Sequence, residues 1–379
     1  MKTFRCSQCD QPVYFENTAC AACGVALGYL PSEAAMAAFE AAPEGPWKAL
    51  GKRVTGKWKP CANYTGPQVC NWMVPDDDPA DLCSCCRQTE VIPTLEKPDN
   101  RLYWARLEAA KRRLYYALDT LGLDRPGLAE DPERGLRFQF LEAVEGGDPV
   151  LTGHDSGCIT VNIAEADDAE REARRTAMGE PYRSLLGHFR HEIGHYYWDI
   201  LVANQPAHAE FRSLFGDESA DYGSAIQAHY AQGAPVGWQQ THISAYATAH
   251  PWEDFAETFA HYLHVTDTTE MAAAYGVRMR PSVDQGGELT ARIDYDPYAE
   301  AGIAELMENW VPLASLINNL NRAVGQHDAY PFVLTEEVIA KLGFIDRLIH
   351  QAGTVQWSVP GPDGPIPINV PAVAGAATV

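Results

Sequence analysis

The chain has 379 residues, 46% of them hydrophobic, and a formal net charge of −22. This length allows two or three domains with a sizeable core, whereas the charge argues against nucleic acid or an anionic membrane as the main partner. The sequence contains no run of about 18 apolar residues, so no membrane span is predicted. The N-terminal MKTFRCSQCD lacks an apolar signal region, so we expect a cytoplasmic protein.

Nine of the ten cysteines lie before residue 87, which favours metal binding over disulfides in a reducing compartment. Two C-x-x-C pairs can wrap one tetrahedral zinc ion. Their cysteines are Cys6, Cys9, Cys20 and Cys23. A second, less regular set is Cys61, Cys70, Cys83 and Cys86, with Cys85 as an alternative to either of the last two. We therefore predict a zinc-ribbon domain over residues 1–97 with two structural zinc ions.

The chain beyond residue 97 alternates between helical and strand patterns. Apolar residues recur at helical spacing over Arg101–Leu123, and strands are predicted over Leu136–Val144 and Gly157–Ile163. Further helices are predicted over Ala166–Met178, Ser184–Val202, Phe211–Tyr230, His250–His264 and Glu336–Gln351. We expect an α+β protein in which a mainly helical domain with a small β-sheet spans residues 98–358. The proline- and glycine-rich residues 359–379 are expected to form a flexible tail.

The most informative motif lies within the helix predicted over Ser184–Val202. His191 and His195 are four residues apart, so they share one helix face and can bind a single zinc ion. Glu192 follows the first histidine, at the position from which a general base acts on water beside the metal. The H-E-x-x-H pattern alone occurs by chance in many proteins, so the third ligand decides its meaning.

The third ligand is expected to be a carboxylate on a later helix. The extended motif with a third histidine fails, because Trp198 and Leu201 occupy its glycine and histidine positions. A catalytic zinc nevertheless needs three protein ligands and one open position. One candidate source is the acidic cluster of Asp217, Glu218 and Asp221.

The preferred source is the helix that is predicted to begin near Pro251, since proline fits the first helical position. There Glu253 can reach the metal, and Glu257 lies one turn later on the same face. Glu257 can accept a hydrogen bond from a ligand histidine and so fix its ring, although it is also a candidate ligand. We therefore predict His191, His195 and Glu253 as the catalytic zinc ligands.

Several segments resemble one known family, the zinc-binding metallopeptidases that carry an N-terminal zinc-ribbon domain. The matching segments are FRCSQCDQPVYFENTACAACGVALGYLP, CNWMVP, GEPYRSLLGHFRHEIGHYYW and SAYATAHPWEDFAETFAHYLH. The resemblance extends from residue 1 to about 350. It implies a zincin-like metallopeptidase domain and zinc as the cofactor.

A more distant likeness concerns the active site. Anthrax lethal factor and its relatives carry a tyrosine seven residues before the ligand glutamate and an acid four residues after it. The corresponding residues here are Tyr246, Glu253 and Glu257. This gluzincin-type likeness implies that the Tyr246 hydroxyl donates to the oxyanion during catalysis. The alternative role for Tyr246 is packing before the helix.

Together these features predict a zinc metallopeptidase with Glu192 as general base, acting on a peptide or protein. An extended substrate would pair with the edge of strand Gly157–Ile163, unless that strand is internal. The alternatives are a catalytically silent scaffold that binds protein partners through its ribbons, and a zinc amidase acting on a non-peptide substrate. A nucleic-acid role is disfavoured, because residues 1–100 carry nine basic and twelve acidic side chains.

Overall fold

A computed structural model of the protein describes residues 2–51, 54–143, 146–299, 302–352, 358–361 and 364–367. It is an α+β protein with a cysteine-rich N-terminal region and a mostly helical C-terminal region, as the sequence predicts. The helices are α1 (Ala62–Thr65), α2 (Asn100–Thr120), α3 (Asp168–Met178), α4 (Leu185–Leu201), α5 (His208–Phe215), α6 (Tyr222–Gln232), α7 (Pro251–Ala274), α8 (Ile303–Ala323) and α9 (Glu336–Ala352).

The strands form small sheets. They are β1 (Phe4–Arg5), β2 (Pro12–Val13), β3 (Ala26–Leu30), β4 (Ala35–Glu40), β5 (Trp47–Leu50), β6 (Lys57–Pro60), β7 (Met73–Pro75), β8 (Thr89–Val91), β9 (Arg137–Leu141), β10 (Gly153–Asp155), β11 (Cys158–Asn162), β12 (Arg278–Met279), β13 (Ala291–Arg292), β14 (Ser358–Gly361) and β15 (Gly364–Pro367). Strands β3 to β7 make an antiparallel meander in the cysteine-rich region.

A second sheet has the strand order β10-β11-β9-β8 and lies beside the motif helix. Strand β9 pairs in parallel with both β11 and β8, whereas β10 and β11 form a tight antiparallel hairpin in which Asp155 faces Cys158. Because β8 directly follows the last cysteines, the N-terminal region contributes a strand to this sheet. The expectation that Gly157–Ile163 forms the sheet edge is wrong, since the hairpin places β10 outside β11.

Helices α4 and α7 form the centre of the C-terminal region. Ser184 caps α4 by accepting a hydrogen bond from the Gly187 amide at 3.0 Å. The helices pack closely at Gly194, where an added Cβ would lie 2.9 Å from the Cα of Ala256. This close approach brings the side chains of the two helices that face each other into one buried cluster.

The helices differ from the predictions at three places. Helix α7 continues to Ala274, ten residues beyond the predicted end at His264. The single helix predicted over Phe211–Tyr230 is wrong, because the chain turns at Gly216, whose φ of 103° favours glycine. A new helix, α6, then begins after Asp221, whose side chain accepts from the Ser224 amide at 2.8 Å. Helix α8 was not predicted at all, and it contains Pro312.

The predicted tail begins inside the β14–β15 hairpin, and residues 368–379 lie outside the described part of the chain. Among the helices described, none is long and apolar enough to cross a membrane.

Candidate active site and metal centres

Three predicted ligand side chains converge between α4 and α7. The Nε2 atoms of His191 and His195 lie 3.1 Å apart. Oε2 of Glu253 lies 3.0 Å from the first nitrogen and 3.4 Å from the second. His195 and Glu253 are 3% and 1% exposed, so these polar atoms are almost completely removed from bulk water.

This donor set has the chemistry of a cation site. His191 Nδ1 lies 2.7 Å from Oε1 of Glu257, and a neutral imidazole that donates there presents a lone pair at Nε2. Oε2 of Glu253 is buried without a hydrogen-bond partner in the described residues. Three lone-pair atoms facing one another at this burial need a shared positive charge. With zinc bonds of about 2.0–2.1 Å, tetrahedral ligand atoms lie roughly 3.3 Å apart, so the observed spacings fit zinc.

Glu257 holds the His191 ring from the side away from the ligand cluster. Burial opposes ionisation of this carboxyl, but the hydrogen bond with His191 lowers the pKa of Glu257 to about 2. The ionised carboxylate is therefore a strong acceptor, which keeps the histidine proton on Nδ1.

The two residues expected to act on substrate lie beside this cluster. Glu192 is 7% exposed, and burial raises the pKa of its carboxyl above the usual range despite the two motif histidines. The ring centroid of Tyr246 lies 5.8 Å from that of His191. Burial, followed by the nearby Glu253 carboxylate, raises the pKa of Tyr246 far above its ordinary value, so its hydroxyl stays protonated and able to donate.

The carboxylates of the alternative acidic cluster, Asp217, Glu218 and Asp221, bind other partners. Oε1 of Glu218 accepts from both His208 and Arg212 at 2.8 Å. Asp221 caps α6, and Asp217 lies within 3.2 Å of Arg212. The structure does not bring these carboxylates to the histidine pair.

Sequence reasoning missed three side chains around the cluster. Tyr222 donates a hydrogen bond of 2.6 Å to Oε1 of Glu253. The Trp252 ring centroid lies 3.9 Å from that of His195, and the His154 ring of β10 lies 6.4 Å from His195 at an angle of 17°. Trp252 lies among many aromatic residues that are typical of a packed helix, and no local pattern in the sequence points to Tyr222 or His154.

Both predicted cysteine sets are assembled. The four thiols of each set lie within 4.8 Å of one another, and the sets are Cys6, Cys9, Cys20 and Cys23, and Cys61, Cys70, Cys83 and Cys86. Zinc–sulfur bonds of about 2.3 Å place tetrahedral sulfurs roughly 3.8 Å apart. The sulfurs of Cys70 and Cys83 are 3.8 Å apart. Cys85 is buried outside the second set, and burial raises the pKa of its thiol well above the usual range.

Comparison with known proteins gives matches over most of the chain. Residues 100–348 match a family model described as "Putative zinc-binding metallo-peptidase", and residues 3–97 match a zinc-ribbon domain. Uncharacterized proteins of Mycobacterium bovis and of two strains of Mycobacterium tuberculosis are each 40% identical over 352 residues. The alignments cover 93% of this chain and 96% of each relative. No solved structure matches the chain.

Proposed function

This chain belongs to the zinc-binding metallo-peptidase family, and on that premise we propose that it hydrolyses peptide bonds with a zinc-activated water. One observation carries the proposal: two imidazole nitrogens and one buried carboxylate oxygen converge within 3.4 Å of one another, beside the buried carboxyl of Glu192. In this proposal His191, His195 and Glu253 hold the metal, and the fourth position is left for water.

A zinc ion bound there would lower the pKa of its water toward neutrality and polarise the substrate carbonyl. Glu192 takes the proton from the attacking water and passes it to the leaving amine. Burial raises the pKa of its carboxyl, which makes the carboxylate a stronger base for the proton of the attacking water. The protonated Tyr246 donates to the oxyanion, a contact worth about 3 kcal/mol.

We propose that the substrate lies along β10 rather than along the internal strand β11. Within the described ranges β10 pairs only with β11, so its other edge can accept an extended peptide. His154 in this strand packs near His195, which places the edge beside the ligand cluster. A peptide added there would carry its backbone carbonyls past the histidine pair.

The two cysteine sets are proposed to hold structural zinc, which gives three zinc ions per chain. All four thiols of the second set are buried, and thiolates at this spacing leave no open position for substrate. The first set is partly exposed through Cys9 and Cys23, so this part of the ribbon is the candidate surface for a protein partner.

The proposal is tested by incubating the zinc-loaded protein with a diverse peptide library and identifying products by mass spectrometry. Glu192→Gln removes the base, whereas Glu210→Gln changes an exposed acid paired with Arg347 and serves as the matched control. We expect products from the wild type and the control and none from Glu192→Gln. The same products from Glu192→Gln would contradict the assigned base. No products from any of them would favour the silent scaffold.

A further inference from the structure

The metal-binding carboxylate of the proposed site has a second partner on a separate helix. Oε2 of Glu253 faces the two histidines, whereas Oε1 accepts the 2.6 Å hydrogen bond from the Tyr222 hydroxyl. Tyr222 is the first residue of α6, and its ring also contacts those of His250 and Trp252 on either side of Pro251. One hydroxyl of α6 therefore reaches a carboxylate that is otherwise buried.

Helix α6 is weakly held. None of its residues is buried, and it packs against the short turn Tyr246–Ala249. Elements with little buried surface open locally at low free energy, whereas the buried helices α4 and α7 open only with the whole core. Two other hydrogen bonds tether this segment: one joins the carbonyl of Ala220 to His250 Nε2 at 3.1 Å, and one joins His229 Nδ1 to the Thr248 hydroxyl at 3.3 Å.

Glycines flank α6 on both sides. Gly216 has φ 103° and Gly233 has φ 73°, which are conformations that favour glycine over other residues. Such positions can absorb a change of backbone direction without moving the elements beyond them. Residues 217–232, between these glycines, can therefore move as one unit once the contacts of Asp217 and Glu218 with α5 are broken.

We infer that residues 217–232 form a lid over the zinc site and that Tyr222 is the positioning residue that latches it to Glu253. The inference rests on the proposed function and adds regulation of the same site. With the lid closed, the tyrosine hydroxyl fixes the orientation of the Glu253 carboxylate. With the lid open, Oε1 loses that donor, so substrate entry and the grip on the metal are linked.

The experiment compares Tyr222→Phe with Tyr230→Phe, which removes an exposed hydroxyl from the other end of the same helix. Amide hydrogen exchange over residues 217–232 reports lid opening, and competition with a chelator reports the affinity of the zinc that Glu253 binds. We expect Tyr222→Phe to exchange faster in this segment alone and to bind that zinc roughly 10-fold to 100-fold more weakly. Exchange and affinity equal to those of Tyr230→Phe would overturn the inference.

A double-mutant cycle isolates the latch from the proposed activity. In a Glu253→Ala background the acceptor is gone, so adding Tyr222→Phe should not accelerate exchange further. The same acceleration in both backgrounds would overturn the latch, whatever the enzyme does. Conversely, a wild-type protein that binds only two zinc ions would contradict the proposed zinc site, while the exchange cycle would still test the Tyr222–Glu253 bond.

Discussion

Replacing Gly194 with alanine tests the contact between α4 and α7 that assembles the site. An alanine Cβ at this position would lie 2.9 Å from the Cα, 3.1 Å from the carbonyl oxygen and 3.3 Å from the Cβ of Ala256. The two closest atoms belong to the backbone of α7 and cannot rotate aside, so the two helices must separate. Since His195 follows Gly194 and Glu253 lies one turn before Ala256, the separation also moves the ligand atoms apart.

The expected change is the difference between two opposing effects. Overpacking a closely fitted core costs about 1–3 kcal/mol, whereas replacing glycine inside a helix gains up to about 1 kcal/mol. Because the clash is with backbone atoms, we expect the cost of overpacking to exceed the gain from replacing glycine. The free energy of unfolding of Gly194→Ala should then fall by about 1–2 kcal/mol, and the affinity for the catalytic zinc should fall with it.

The assay is denaturant unfolding of the zinc-loaded protein, together with chelator competition. Gly223→Ala is the matched control for unfolding, because an added Cβ there meets only Asp221 Oδ1 at 3.8 Å and should leave stability unchanged or slightly raised. A Gly194→Ala protein as stable as the wild type, with unchanged zinc affinity, would refute the argument that this contact sets the ligand geometry.

Three further predictions concern single side chains. Glu257→Ala should weaken binding of the catalytic zinc by about 10-fold to 100-fold in chelator competition, and unchanged affinity would show that the carboxylate does not orient its histidine. Lys341→Met should lower the free energy of unfolding by about 3–5 kcal/mol, because it removes the cation from the fully buried Asp254 and leaves beside it the His242 imidazole at 3.7 Å, whose pKa burial lowers to about 4. Adding Asp254→Asn should recover most of the loss, and no recovery would contradict this cause. The hydrogen bond that His350 donates to Asp346 raises the pKa of His350 from 6.5 to about 9, so the stabilisation from this pair is complete below pH 6.5 and is lost as the pH rises through 9. His350→Gln should therefore lower the free energy of unfolding at pH 6 and have no effect at pH 10. Because the His350 side chain is 39% exposed, the loss at pH 6 should not exceed about 1 kcal/mol. An equal loss at the two pH values would contradict the assigned role of this histidine.

The fold class and the family resemblance inferred from the sequence are confirmed, because both depend on local patterns. The helix predicted over Ser184–Val202 agrees with α4 to within one residue at each end. In contrast, the break at Gly216 is a single residue in an otherwise helical pattern. Helix α8 contains Pro312, and a proline argues against a helix at the sequence level. The register that places β10 at the sheet edge is set by a hairpin, which periodicity cannot reveal.

Some residues of the candidate site follow from local sequence patterns, whereas others depend on the tertiary structure. His191 and His195 lie four residues apart on one helix, so their shared face follows from helix geometry alone. Glu253 was preferred from its place in the first turn of α7. Tyr222 carries no such signal, because its contact with Glu253 joins side chains 31 residues apart and exists only once α6 has folded over the site.

Anomalous X-ray scattering at the zinc absorption edge, from crystals of the full chain, tests the central claim most directly. We expect three zinc peaks per chain: one within each cysteine set, and one in contact with His191, His195 and Glu253. Two peaks confined to the cysteine sets, under conditions of excess zinc, would contradict the catalytic zinc site and the hydrolytic function that depends on it.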